Sequence, residues 1–471
     1  MPSSIIPAPP GYGVEFADLA TRRFGPPSTR NVFAIGFADR GDVGQAASIA
    51  DLLDGIGGFV NYSALFPSLA TVLAEGADLI TYARVVGPSA LPTSKTISGS
   101  ITIRAKSVGA WGNNLTYEIT QPDTGQRRII IRESGVTVAT SPAVTTVQGL
   151  VDWTDDNDVV EILTGAALPA FVAATALGTN GTDDRGNVTP AQYQAAVDKL
   201  DKRYGPGRFI APGIDDPDVH AIIVAHCKAT GRRARLDLAS GVTKQQAEDY
   251  ASAFEADNPD TAQYGGVFGS WAYNIPIINQ PERLVPWSAV QVGVEARIEK
   301  ELGISIPTFG PTNAYATTVT RLFSEWSDDD RSELYAHNVN VATDDGAVVS
   351  TWGFRTLDST PLDNDLHQQT IRMAFKFDAE AIMRGLIGQP VDESTLASMG
   401  GKLDALCRTY QGNRAIKGND GDPGYRLVID AVNTPTTMAA RELHALVYGR
   451  FGNSADWADL LVTVVPTNQS L

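Results

Sequence analysis

Sulfur and imidazole are scarce in this chain, which has two cysteines and five histidines in 471 residues. Cys227 and Cys407 lie too far apart in sequence to suggest a disulfide framework and suit a reducing cytoplasm, where both thiols are expected to be buried and inert. His220 and His226 fall on one expected helix but six positions apart, about 240° around its axis, so they cannot share a metal as an i, i+4 pair does. Basic charge is also short: 37 Lys and Arg stand against 54 Asp and Glu, a net charge of −17. That balance disfavours a general attraction to nucleic acid or anionic membranes. No run of 18 apolar residues occurs, and MPSSIIPAPPG has neither the basic nor the apolar region of a secretory signal, so neither membrane insertion nor secretion is expected. GxSxG, GxxxxGK[ST], HExxH and a post-strand GxGxxG are all missing. Catalysis therefore has no recognisable carrier, and no cofactor or metal is expected.

What is present is a globular composition, 43% apolar and 8% aromatic, with length for about two to four domains. VFAIGFA (32–38) reads as a buried strand, SALFPSLATVLAEG as a helix repeating Leu65, Leu69, Val72 and Leu73, and ADLITYARVVG as another strand, implying parallel pairing through a crossover. Between about 95 and 183 the texture changes to short strands, ITIRAKS, LTYEIT, RRIIIRE and VTVATS, with QPDTGQ as a hairpin connection. Alternation resumes at TPAQYQAAVDKLDKR, which opens on a Thr cap with Pro at the first helical position. RFIAPGI, RARLDLAS and GGVFGSWAY read as strands, and DPDVHAIIVAHCKATG and TKQQAEDYASAFEAD as helices. Together with 32–87 they predict one α/β sheet domain interrupted by a β-rich insertion. The region from about 348 is mixed: an extended WGFRTL, helices around 368–386 and 395–410, and late strands GYRLVIDAV and LLVTVV.

The polar candidates have ordinary explanations. Asp215 and Asp216 follow a strand, but Asp216 precedes Pro217 and is expected to cap the next helix; Ser240-Gly241 is common loop chemistry. DWTDDND and GNDGDPG lack the ligand spacing of a calcium loop, and SEWSDDDRSEL suits an acidic helix N-terminus. The termini are less ordinary. IIPAPPGYGVEFADL is extended and Pro/Gly-rich, and LLVTVV is a strand-forming run almost at the end of the chain, with no evident partner for either.

Three stretches carry a family likeness: SVGAWGNNLTYEI, with Trp111, Gly112 and Asn113; VPWSAVQVGVEARIEKELGISIPTFGP, a Pro-x-Ser segment, helix and Pro-containing loop; and HNVNVATDDGAVVSTWGFRTL, ending in Trp352, Gly353, Arg355, Thr356 and Leu357. In these the chain resembles the contractile tail sheath proteins of myophage tails and contractile injection systems. It departs where the family often has paired arginines, since IRMAFKF offers Arg372 with Lys376. The resemblance implies a multidomain α/β and α+β subunit: an N-terminal linking arm (1–25), a central α/β core (26–94 and 184–345), an inserted β-rich outer domain (95–183) and a mixed C-terminal domain (346–471) ending in a linking strand at about 456–471. It implies that Tyr12, Val14, Phe16, Leu460, Leu461, Val462, Val464 and Val465 belong to strands completing sheets in neighbouring subunits. The implied partners are other copies in six-fold rings stacked helically, an inner tail tube, baseplate and tail terminator proteins. The implied setting is a virion tail assembled in the host cytoplasm, or a bacterial contractile particle.

The same resemblance puts the C-terminal domain on the inner wall. In STLASMGGKLDALCRTYQGNRAIKG, residues 396, 399, 403, 406 and 410 form an apolar stripe, leaving Lys402, Arg408, Arg414 and Lys417 as a possible tube contact or simply as cations favoured near a helix end. Two other classes stay open on the residues: an α/β enzyme with an inserted β domain, using Asp215, Asp216 and Ser240, and a static shell whose arms exchange strands.

Overall fold

The computed structural model describes residues 29–452 except 98, 164, 278 and 420. The expected arm residues Tyr12, Val14, Phe16, Leu460, Leu461, Val462, Val464 and Val465 lie outside that range.

Among the described residues the largest sheet has eight strands, in the order 349–352, 339–344, 265–268, 233–237, 208–210, 32–36, 80–84 and 43–46. Its interior pairs are parallel and its two outer pairs antiparallel. Strands covered on both faces read as continuous apolar runs, and Val32–Gly36 is buried at every position. Its alternate residues feed two cores. Phe33 and Ile35 join Phe209, Leu236 and the helices Pro217–Thr230 and Lys244–Asp257 on one face, while Val32 and Ala34 join Ile80, Leu69 and Val292 on the other.

The crossover helices start where local chemistry says they should. Thr189 and Gln192 form a reciprocal capping box ahead of Pro190–Asp198, and Asp216 accepts the Asp218 N–H at the head of Pro217–Thr230, which ends at Gly231 in the left-handed region (φ 76°). The helix Trp287–Glu301 is buried from Trp287 through Ala296 and lies against Leu65–Glu75. Gly293 permits that approach, since a Cβ there would stand 2.5 Å from the Glu75 Cβ.

Residues 94–176 build two further sheets, one ordered 172–176, 115–120, 128–133, 136–140 and one ordered 94–96, 102–105, 160–163. Their inward residues, among them Ile103, Trp111, Leu115, Ile131 and Trp153, form a separate hydrophobic cluster. LTYEIT alternates buried and half-buried, and Thr120 pairs with Arg128 across the hairpin expected at 121–126.

GGVFGSWAY, read above as one strand, is two. Gly265–Phe268 belongs to the large sheet, whereas Trp271–Asn274 pairs with 283–286 and 319–322 in another. The break falls at Gly269-Ser270, where the Ser270 hydroxyl accepts the Ala342 N–H (2.9 Å) and the Ser270 carbonyl accepts the Trp287 N–H (3.0 Å). Both bonds come from distant segments. The boundary expected at 346 falls inside the hairpin that closes the large sheet, since Val349–Trp352 pairs with Val339–Asp344. Beyond it, helices Leu366–Arg384 and Glu393–Gly412 pack with the hairpin of 425–428 and 446–449 through Phe375, Tyr410, Phe451 and the Met399–Leu403 cluster.

Candidate functional site

The strongest electrostatic feature is buried where the large sheet meets the later helices. Arg208 and Arg235, on adjacent strands, converge on Glu295 of the Trp287–Glu301 helix: Arg208 Nε donates to Oε2 (2.5 Å), and Arg235 donates through Nε to Oε1 and Nη2 to Oε2 (2.7 Å each). Arg208 Nη2 also reaches Glu299 (2.7 Å), one helical turn on. Burial alone would push the Glu295 carboxyl up, but Arg235 and Arg208 outweigh it and hold it below the usual carboxylate range. Arg208 Nη1 donates to the Thr29 carbonyl (2.9 Å) and Arg235 Nη2 to Thr370 Oγ1 (3.4 Å), so the cluster ties the sheet to the segment entering it and to the Leu366–Arg384 helix. Such clusters add little over an apolar core but cost about 3–5 kcal/mol when one partner is removed. The cluster joins two adjacent strands to one helix. Sequence reasoning missed it, although Arg in otherwise apolar RFI and RARLD, and Glu at i, i+4 in EARIEKE, were visible signals.

Trp111, Gly112 and Asn113 sit where the chain enters and leaves the inserted sheets. Asn113 Oδ1 accepts from Thr93 Oγ1 (2.7 Å) and Gly181 N–H (3.0 Å), while its Nδ2 donates to the Gly181 carbonyl (3.1 Å). One side chain thus staples the incoming strand to the outgoing one, beside the Leu91–Thr182 bridge. Gly112 is required because a Cβ would stand 2.7 Å from Thr93 Oγ1, and buried Trp111 donates to the Ser107 carbonyl (3.2 Å). From the core side Arg84 donates to the Val108 carbonyl (2.6 Å).

The second motif closes the sheet edge. Gly353 adopts φ 82°, and a Cβ there would meet Tyr335 Cδ2 at 2.8 Å. Arg355 lies over the Tyr335 ring at 4.0 Å, Arg331 over the half-exposed Trp352 at 5.3 Å. Thr356 Oγ1 donates to the Asp363 carbonyl (2.7 Å) and accepts the Asp358 N–H (3.2 Å), folding the turn before the next helix, and Leu357 is buried. These residues shape a junction.

The Pro-x-Ser segment has a partner of its own. Asp237, at the end of its strand, accepts the Ser288 hydroxyl (2.7 Å) and N–H (3.2 Å), capping a helix whose own N-cap, Pro286, has no side-chain donor or acceptor. Full burial pushes the Asp237 carboxyl up to about 7 despite those bonds. Glu75, also buried, accepts the N–H and hydroxyl groups of Thr317 and Thr318 (2.7–3.1 Å) and pairs with Arg297 (2.8 Å).

The enzyme-like candidates do not converge. Asp215, Asp216 and Ser240 are exposed, and Asp216 is occupied as a helix cap. His220 bonds Tyr250 Oη (2.5 Å) and the Ile214 carbonyl (2.8 Å), His226 the Leu200 carbonyl (3.0 Å). Burial depresses both imidazoles to about 4, with Arg232 adding to the effect at His226. The buried thiols Cys227 and Cys407 are raised by burial to about 12 and about 11. Among the described residues no group of three His, Cys, Asp or Glu could hold a metal ion, and no helix is long and apolar enough to cross a membrane.

Lys402, Arg408, Arg414 and Lys417 are all exposed. They do not share one helix face: Lys402 and Arg408 are six positions apart on Glu393–Gly412, Arg408 pairs with Asp404 (2.7 Å), and Arg414 follows the helix at φ 61°.

This order of parallel sheet, inserted sheets and closing helices is the fold of sheath proteins from contractile tails and injection systems. The sheath tail protein of Listeria innocua superposes with TM-score 0.64 at 14% identity, over 90% of this chain and 95% of its own. That of Desulfitobacterium hafniense gives 0.59 at 14%, over 89% and 94%. The sheath of the extracellular contractile injection system PVC in its contracted state gives 0.58 at 14%, over 98% of both chains. At such identities the likeness is one of fold. No protein-family model matches the sequence, and no curated protein matches it.

Proposed function

We propose that this chain is the structural subunit of a contractile sheath, polymerising as stacked six-fold rings around an inner tube and contracting to drive that tube through a cell envelope. The observation that carries this reading is end-to-end correspondence with assembled sheaths: the PVC sheath over 98% of both chains, and the helical sheath of the anti-feeding prophage in its contracted state over 97% of this chain and 99% of its own, with TM-score 0.57. On this reading the protein is not an enzyme. Residues 95–183 project outward as a separate domain, 346–471 form the inner domain, and 1–25 and about 456–471 link neighbouring copies by strand addition. Several main-chain bonds at about 0.5–1.5 kcal/mol each then hold copies together while rigid bodies rotate. The energy of contraction resides in a metastable extended lattice, without a nucleotide site. Baseplate and tail terminator proteins would cap the ends, and the setting is the tail of a virion or contractile particle.

Electron microscopy of the purified chain, alone and with a tube protein, tests this. Helical tubes of two diameters are expected, and loss of tubes on removal of residues 460–471. Single rigid particles, or monomers with retained ligand, would overturn the reading.

A further inference from the structure

The four-stranded inserted sheet ends at Val136–Thr140, whose sheet neighbour among the described residues is Arg128–Glu133. Its other edge turns main-chain groups outward at Thr140. Ala139 pairs with Ile131, and two residues on, Ser141 N–H donates to the Ile129 carbonyl (2.8 Å), so antiparallel alternation turns the N–H and C=O of Thr140 outward. A register shift opposite Ile131 and Arg132 leaves Val138 without a cross-strand partner. VTVAT carries neither charge nor proline; of the usual guards of an exposed edge it has the bulge, and Val136 is 67% exposed.

This edge faces a cleft of about 780 Å³ between the inserted sheets and the core. Val138, Ala139 and Thr140 line it consecutively. Four exposed carboxylates share the lining: Asp51 and Asp54 come from the Ile49–Ile56 helix, and Asp156 and Asp158 lie near Trp153. Arg40 is the basic lining residue, and it is held by Glu133 and the Leu53 carbonyl (2.9 Å each).

We propose that this cleft receives an extended polypeptide segment bearing Lys or Arg, which adds to Val136–Thr140 as a further strand and sets its cations against Asp51, Asp54, Asp156 and Asp158. A five-residue edge spans about 17 Å, room for two or three such side chains on one face. Charge selects the partner. A nucleic acid is repelled by these carboxylates. The inference stands whether or not the chain forms a sheath.

The test is amide hydrogen exchange on the full chain with the peptide Ac-Lys-Val-Thr-Val-Lys-Val-NH₂. Exchange at Thr140 should slow about tenfold or more, the worth of one or two net hydrogen bonds. Binding should weaken with added salt and fall several-fold in Asp156→Asn/Asp158→Asn. The same peptide N-methylated at alternate residues, and Ac-Glu-Val-Thr-Val-Glu-Val-NH₂, should give no protection. The proposal is overturned if the basic peptide leaves the Thr140 amide unchanged, or if either control protects it equally. Protection that rises with protein concentration in the absence of peptide would assign the edge to a second copy and also overturn it.

Discussion

Asn340 and Arg355 clasp each other: Asn340 Nδ2 donates to the Arg355 carbonyl (2.8 Å), and Asn340 Oδ1 accepts the Arg355 N–H (2.6 Å). The same Nδ2 reaches the Val267 carbonyl (3.0 Å), so one buried amide joins three chain segments. Asn340→Ala strands these groups and should cost about 2–3 kcal/mol, read as a lower urea midpoint with unchanged m. Asn340→Asp should cost more at neutral pH, because a carboxylate would face two carbonyl oxygens.

Glu75→Ala should be more damaging. It orphans the backbone donors of Thr317 and Thr318 and leaves Arg297 with a buried charge unpaired on that side. A loss of about 3–5 kcal/mol is expected, with Glu75→Gln intermediate because one carbonyl acceptor survives. Chemical denaturation of the three proteins at one pH measures it.

Asp237 gives the stability a pH dependence of defined sign. Its carboxyl titrates near 7 when folded and near the usual carboxylate value of about 3.9 when unfolded. The unfolded chain therefore loses this proton first. Stability relative to Asp237→Asn should be greatest below about pH 4 and fall by up to about 1.4 kcal/mol per pH unit as pH rises toward 7, then level off. Denaturation of both proteins from pH 4 to 8 checks this; parallel curves would show that Asp237 ionises normally.

Excision of residues 97–181 with a short Gly/Ser bridge should leave a soluble α/β core, because the strands 32–36, 80–84 and 208–210 pair without it. Arg84 would lose the Val108 carbonyl, so a penalty of about 1–3 kcal/mol is expected. Circular dichroism and a urea melt read the result, and global unfolding would place the boundary elsewhere.

On the proposed reading that Lys402, Arg408 and Arg414 meet an acidic tube, Lys402→Glu/Arg408→Glu/Arg414→Glu should weaken tube attachment while sparing sheath-only polymers. Attachment of the parent protein should weaken with salt, since exposed pairs are screened over about 8–10 Å. Co-assembly that survives the triple change at both low and high salt would reduce these residues to helix-end cations. The spread of Lys402 and Arg408 around their helix makes the salt arm the more informative one.

What a side chain settles with neighbours a few residues away was legible before the fold was known. The cap at Thr189 and Gln192, the stop at Gly231 and the alternation of LTYEIT follow from local hydrogen bonding and period-two burial. So do the β-rich texture after residue 95 and the two long helices near the end of the described chain. Which distant groups meet is set by the three-dimensional packing. Arg208 and Arg235 find Glu295 from 87 and 60 positions away, and Asn113 staples Thr93 to Gly181. GGVFGSWAY is uniformly apolar enough for one strand and breaks at Ser270 because Ala342 and Trp287 claim its polar groups. Periodicity reports that a position is buried, not against what. A buried charge or an orphaned N–H is tolerable only beside its partner, and that partner is chosen by the order in which crossovers bring strands together.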